Sequence, residues 1–68
     1  MRLKELRKSR RISQIKLAID LNTSQNTISR YETGEREPGL NELIKIADYF
    51  NVSIDYLLNR TDNPEIQK

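Results

Sequence analysis

The sequence predicts an all-α fold, a compact bundle of five short helices, and three observations carry that prediction. Apolar residues recur at steps of three and four along the chain. No strand-length run alternates apolar with polar residues between turn signals. Capping residues and helix breakers punctuate the chain at short intervals.

A first helix is expected over residues 2–8, with Leu3 and Leu6 on one face and Lys4, Glu5 and Lys8 turned elsewhere. Arg10-Arg11-Ile12 links it onward. Ser13 is a good N-cap, its hydroxyl able to satisfy orphan N–H groups, and it opens a second helix over 14–21 whose Leu17, Ala18 and Leu21 make a buried stripe. In Asn22-Thr23-Ser24, Asn22 suits the left-handed conformation that ends a helix and Ser24 can cap the next one, so two caps force a sharp corner. The third helix runs over 25–33 and stops at Gly34. Glu35-Arg36-Glu37-Pro38-Gly39 reads as a loop, because proline disfavours helix for the residue before it. Leu40, Leu43, Ile44, Ala47 and Phe50 then define the apolar face of a fourth helix over 40–50, which Asn51 can end. Val52 and Leu57 flank Ser53 as a staple around an N-cap, giving a fifth helix over 54–59 that turns Ile54, Leu57 and Leu58 inward. Residues 1–60 therefore form the domain, and 61–68, with one proline and few apolar groups, are expected to be a short frayed tail.

Sixty-eight residues suffice for one modest core, since a chain this short buries only roughly 60% of its unfolded surface. With no cysteine and no histidine, neither a disulfide nor a zinc-thiolate site is available, and no metal or cofactor is expected. The opening Met-Arg-Leu-Lys-Glu lacks the apolar run of a secretion signal, and no stretch approaches the ~20 apolar residues that span a bilayer. A cytoplasmic protein with no membrane association is the expectation. The net charge of +2 is unevenly spread: residues 1–11 carry six Lys or Arg against one Glu, whereas 39–68 carry three against five. Clustered cations of this kind point to a polyanionic partner, or simply to a solvated basic helix.

An enzyme fails on inventory. There is no Cys/His pair and no phosphate-cradling glycine loop, and the carboxylates are scattered along helices. The informative segment is Gln14 to Thr33, two short helices about a tight corner, a helix-turn-helix arrangement. On a wheel at ~100° per residue, Gln25, Asn26, Ser29, Arg30 and Thr33 fall within an arc of about 140°, while Ile28 and Tyr31 lie opposite. That polar face uses amides, hydroxyls and a single Arg rather than the Glu and Lys that ordinary surface helices prefer. Gln and Asn can bond an adenine edge twice in the major groove, and Arg can do likewise with guanine.

The chain resembles the lambda-repressor-like, Cro/cI-type (XRE) helix-turn-helix family over residues 1 to about 60. Leu6-Arg7, Ser13-Gln14, Leu17-Ala18, Ser24-Gln25 and Ile28-Ser29-Arg30-Tyr31-Glu32 carry the likeness, with Gly34 and Pro38 in the following loop. Leu43, Ile46-Ala47, Phe50, Val52-Ser53 and Tyr56-Leu57-Leu58 extend it through the last two helices. The resemblance implies a transcriptional regulator, most naturally a repressor, whose third helix reads the major groove. Gln25, Asn26 and Arg30 are then the base-reading residues, with Ser29 and Thr33 in second rank. Gln14 would hold a phosphate at the start of the second helix. Ser24 and Thr27 would meet phosphate or a thymine methyl, although capping is an equal role for Ser24, and Arg36 would grip backbone phosphate or remain a solvated loop charge. Arg7 and Glu32 occupy positions that form a partly buried ion pair in relatives, and Arg7 is also in reach of phosphate. The implied partner is a double-stranded operator bound by a homodimer on a palindromic site, since one short helix reads too few base pairs alone.

Two departures from the family pattern stand out. Asn22 replaces the usual glycine, and Ile15 and Ile19 are apolar where relatives are polar, leaving open whether they pack on the first helix or form an exposed patch. That patch, with Tyr49 and Tyr56, is the feature a rival reading would use: an antitoxin or other regulator that binds a protein partner such as a toxin or antirepressor.

Overall fold

The computed structural model describes residues 1–66 and contains five helices, α1 (Leu3–Ser9), α2 (Gln14–Asp20), α3 (Gln25–Thr33), α4 (Leu40–Phe50) and α5 (Ile54–Leu57), with no strand among the described residues. Three of the helices open on the serines that the sequence marks. Ser13 Oγ accepts from the Lys16 N–H, Ser24 Oγ from Thr27 and Ser53 Oγ from Tyr56, at 3.0 to 3.1 Å.

The helix ends follow one device. Arg11, Asn22, Asn51 and Asn59 all take left-handed backbone, with φ between 55° and 63°. Behind each, a 6→1 hydrogen bond closes the turn: Ile12 N–H to Arg7, Thr23 to Ala18, Val52 to Ala47 and Arg60 to Asp55. Asparagine tolerates this conformation better than other non-glycine residues, which is how Asn22 serves where glycine would be usual. Gly34 ends α3 at φ 83°. A Cβ there would meet nothing within 4 Å, so its backbone angle, not its lack of bulk, is what suits the position.

Leu3, Leu17, Leu21, Ile28, Tyr31, Ile46, Phe50 and Leu57 meet in one core with Ala18, Ala47 and Val52. Burying one Leu side chain such as Leu17, which is fully enclosed, contributes about 1.5–3 kcal/mol. Against this core α2 and α3 pack on each other, with α1 across α3 and α4 joined to α5.

Two expectations are corrected. The face of α4 is rotated: Leu40 and Ile44 are 68% and 41% exposed, and Ile46 is buried in their place beside Ala47 and Phe50. Helix α5 stops at Leu57, two residues early, because Asn59 turns left-handed, and Leu58 is consequently 37% exposed. Residues 61–64 are hydrogen-bonded to the bundle. The Ser53 N–H donates to the Pro64 carbonyl at 3.0 Å, and Arg2 donates to the Thr61 carbonyl and to Asp62 Oδ1. The same Arg2 guanidinium binds the Tyr56 carbonyl and lies 4.2 Å from the Tyr56 ring centroid, clasping the two ends of the domain together. Residues 67 and 68 of the expected tail lie outside the described residues.

Candidate nucleic-acid interface

Helix α3 is held by Ile28 and Tyr31, which are 0% and 6% exposed. Its opposite side carries Gln25, Asn26, Arg30 and Thr33, all exposed, with Ser29 half-buried at the edge of that face. The structure thus brings the five wheel-predicted residues to one surface. Among the described residues the Arg30 and Arg36 guanidiniums enter no ion pair. The Thr33 hydroxyl donates to the Arg30 carbonyl at 3.2 Å, leaving its oxygen as an acceptor.

Ser24 is a cap in this structure. Its Oγ takes the Thr27 N–H at 3.1 Å and lies 2.9 Å from Thr27 Oγ1, so the two hydroxyls are engaged with each other at the start of α3. Arg36 is exposed in the loop that returns over the end of α3, where its backbone N–H donates to the Arg30 carbonyl at 3.3 Å.

Behind this surface lies the ion pair. Arg7 Nε donates to Glu32 Oε2 at 2.6 Å and Nη2 to Oε1 at 3.1 Å, while Nη1 takes the Ile12 carbonyl at 2.9 Å. The two side chains are only 11% and 3% exposed. All three guanidinium nitrogens are committed inside the bundle, which makes Arg7 a structural residue. Burial alone would push the Glu32 carboxyl up. Hydrogen bonds from Arg7 and Gln14, with the charges of Arg7 and Lys4, outweigh it and hold the group below its ordinary value. The Arg7 guanidinium is pushed up, first by its hydrogen bond to Glu32.

Gln14 Nε2 donates to Glu32 Oε1 at 3.0 Å, and Gln14 Oε1 lies 3.4 Å from Gln25 Nε2. The structure therefore joins two candidate contact residues from different helices to the ion pair. Sequence reasoning did not foresee this link.

Ile15 and Ile19, one turn apart on α2, are 54% and 69% exposed rather than packed on α1. No group of His, Cys, Asp and Glu among the described residues has the makings of a metal site. No helix among them is long and apolar enough to cross a membrane.

A helix-turn-helix family profile matches residues 3–57. The chain belongs to the Cro/cI-type (XRE) helix-turn-helix family. The family is one of DNA-binding domains rather than enzymes. Among curated proteins it is 33% identical over 64 residues to the uncharacterized HTH-type transcriptional regulator YobD of Bacillus subtilis, covering 94% of this chain and 57% of that protein. It is 39% identical over 61 residues to the HTH-type transcriptional regulator ImmR of the same organism, covering 90% of this chain and 48% of ImmR. It is 36% identical over 67 residues to the cryptic phage CTXphi transcriptional repressor RstR of Vibrio cholerae, covering 98% of this chain and 60% of RstR. The chain thus spans about half the length of the curated relatives it matches. No solved structure matches it significantly.

Proposed function

We propose that this chain binds double-stranded DNA as a sequence-specific transcriptional regulator, a repressor, and reads the major groove with the exposed face of α3. The observation that carries the reading is the outward grouping of Gln25, Asn26 and Arg30 on a helix anchored by Ile28 and Tyr31. Amides and a guanidinium are the groups that bond base edges bidentately, each good pair giving about 1–3 kcal/mol of discrimination. Ser29 and Thr33 contribute at the margin of the same face. Gln14 and Arg36 hold phosphates on either side of it, and the Ser24–Thr27 pair fixes the start of the helix against the backbone. The repressor role takes its support from likeness to RstR, a phage repressor by name.

The protein acts as a homodimer on a palindromic operator, in the cytoplasm and at the nucleoid when bound. A second reading, regulation through a protein partner such as a toxin or antirepressor, is favoured by one observation, the exposed Ile15 and Ile19 on α2.

Selection from random duplexes tests the function, followed by binding measured at two salt concentrations. The wild type is expected to enrich a defined site. Arg30→Ala should relax one base pair by about 1–3 kcal/mol. Arg36→Ala should weaken all sequences alike and reduce the salt slope by about one unit. Equal loss on selected and random DNA for Arg30→Ala would contradict base reading by that residue, and recovery of one protein per selected duplex in sedimentation would contradict the dimer.

A further inference from the structure

Lys4 is exposed on α1, and among the described residues it enters no ion pair. Burial pushes the nearby Glu32 carboxyl up, Arg7 and Gln14 hold it down, and the charge of Lys4 adds to them. Yet Arg7 already donates to both Glu32 oxygens, so the one negative charge there is matched by one guanidinium. Lys4 is left as a surplus positive charge at this edge of the bundle. We propose that Lys4 binds a backbone phosphate of the operator, on the DNA strand opposite the one that Arg36 holds. This rests on the reading of α3 as the recognition helix and adds to it a contact from a helix outside the helix-turn-helix pair.

Helical geometry places the residue. At ~100° per residue, Arg7 lies about 60° from Lys4 around α1, whereas Arg2 lies about 160° away. Arg7 reaches α3 through Glu32, and Arg2 reaches α5 and the segment after it through the Tyr56 and Thr61 carbonyls. Lys4 therefore belongs to the flank of α1 that is turned to α3. On α3, Glu32 projects about 20° from Gln25 and about 60° from Ser29, so it borders the outward face along that edge. Arg30 projects about 160° from Glu32, and the loop carrying Arg36 returns over the Arg30 carbonyl. Lys4 and Arg36 thus flank the outward face from opposite edges. A helix seated in the major groove, about 12 Å wide, has a phosphate strand along each side. The two cations meet different strands.

Salt titrations on the wild-type selected duplex give the first test. Lys4→Gln should lower the salt slope by about one unit and leave the selected sequence unchanged, whereas Lys4→Arg should keep the slope. Arg60→Gln, which removes an equal charge from the exposed pair with Asp55 after α5, should keep it too. Methylphosphonate linkages, which carry no charge, then locate the contact when they replace phosphates one at a time along both strands of a half-site.

At one linkage the wild type should lose affinity and Lys4→Gln should lose none. That linkage should lie on the strand opposite the one whose linkage Arg36→Ala ceases to sense. An unchanged slope in Lys4→Gln, or an equal fall in Arg60→Gln, would overturn the contact. So would a Lys4→Gln variant that keeps every wild-type sensitivity, or a Lys4 linkage on the same strand as that of Arg36. A wild type that enriches no site, or an Arg36→Ala variant that keeps its slope, would instead overturn the reading of the α3 face on which the contact rests.

Discussion

Arg10 closes the C-terminus of α4 against Phe50: its Nη2 donates to the Phe50 carbonyl at 2.7 Å, and its guanidinium carbon lies 5.1 Å from the Phe50 ring centroid. Nη1 reaches the Tyr49 carbonyl at 3.1 Å. Of the six cations in residues 1–11, Arg2, Arg7 and Arg10 are therefore engaged in holding the bundle, leaving Lys4, Lys8 and Arg11 as the solvated part of the basic segment. Much of the charge asymmetry that points toward a polyanion is internal carpentry.

Arg10→Ala is accordingly expected to lower stability by about 1–2 kcal/mol, from hydrogen bonds made by a charged donor at a helix C-terminus. Its salt slope for DNA binding should match the wild type. Urea unfolding and a salt titration check the two halves, and a lost unit of slope would mean that Arg10 meets phosphate.

Arg7→Ala should be far more damaging. Breaking a buried pair strands a carboxylate without its partner, at about 3–5 kcal/mol. A core of this size rarely supplies more than about 3–5 kcal/mol in total. Arg7→Ala is expected to be largely unfolded at 25 °C by circular dichroism, whereas a wild-type-like melt would place the pair among the weak surface contacts.

Stability should fall on acidification. Glu32 titrates below its unfolded value, so its contribution is present above the unfolded carboxyl range, about pH 4 to 4.5, and is lost as pH drops through the folded value. Asp20 acts in the same direction, held low by hydrogen bonds from the Tyr49 hydroxyl at 2.6 Å and from Lys16 at 3.0 Å. Glu32→Gln should flatten the acid limb of melting temperature against pH. An unaltered limb would assign the acid sensitivity to other carboxylates.

Arg11→Gly addresses backbone strain. A left-handed conformation disfavours a non-glycine residue by roughly 1–2 kcal/mol, and glycine gives back about 0.5–1 kcal/mol through the unfolded chain. The variant should be equal to the wild type or up to about 1.5 kcal/mol more stable. A clear loss in urea unfolding would show that the Arg11 side chain contributes packing or pairing of its own.

The ends of α3 were legible because Ser24 and Gly34 declare them locally, and the outward set Gln25, Asn26, Arg30 and Thr33 follows from helical geometry once Ile28 and Tyr31 are inside. The buried face of α4 was not. Leu40, Leu43, Ile44, Ile46, Ala47 and Phe50 satisfy more than one stripe, and only the neighbouring helices decide between Ile44 and Ile46. The early stop of α5 turns on Asn59, a residue type that can end a helix or lie in its last turn, so only its φ of 63° fixes the boundary. Long-range bonds to carbonyls, such as Arg10 on Phe50 and Lys45 on Leu21, leave no periodic trace in a sequence. Nor does the amide chain from Glu32 through Gln14, which joins residues on two helices.

Titration of the isotope-labelled protein with its selected duplex, followed by backbone and side-chain amide NMR signals, tests the central claim most directly. The largest changes should fall on Gln25, Asn26, Ser29, Arg30 and Thr33 and on the Gln14 amide. Changes confined to α4 and α5, with the outer face of α3 undisturbed, would contradict it.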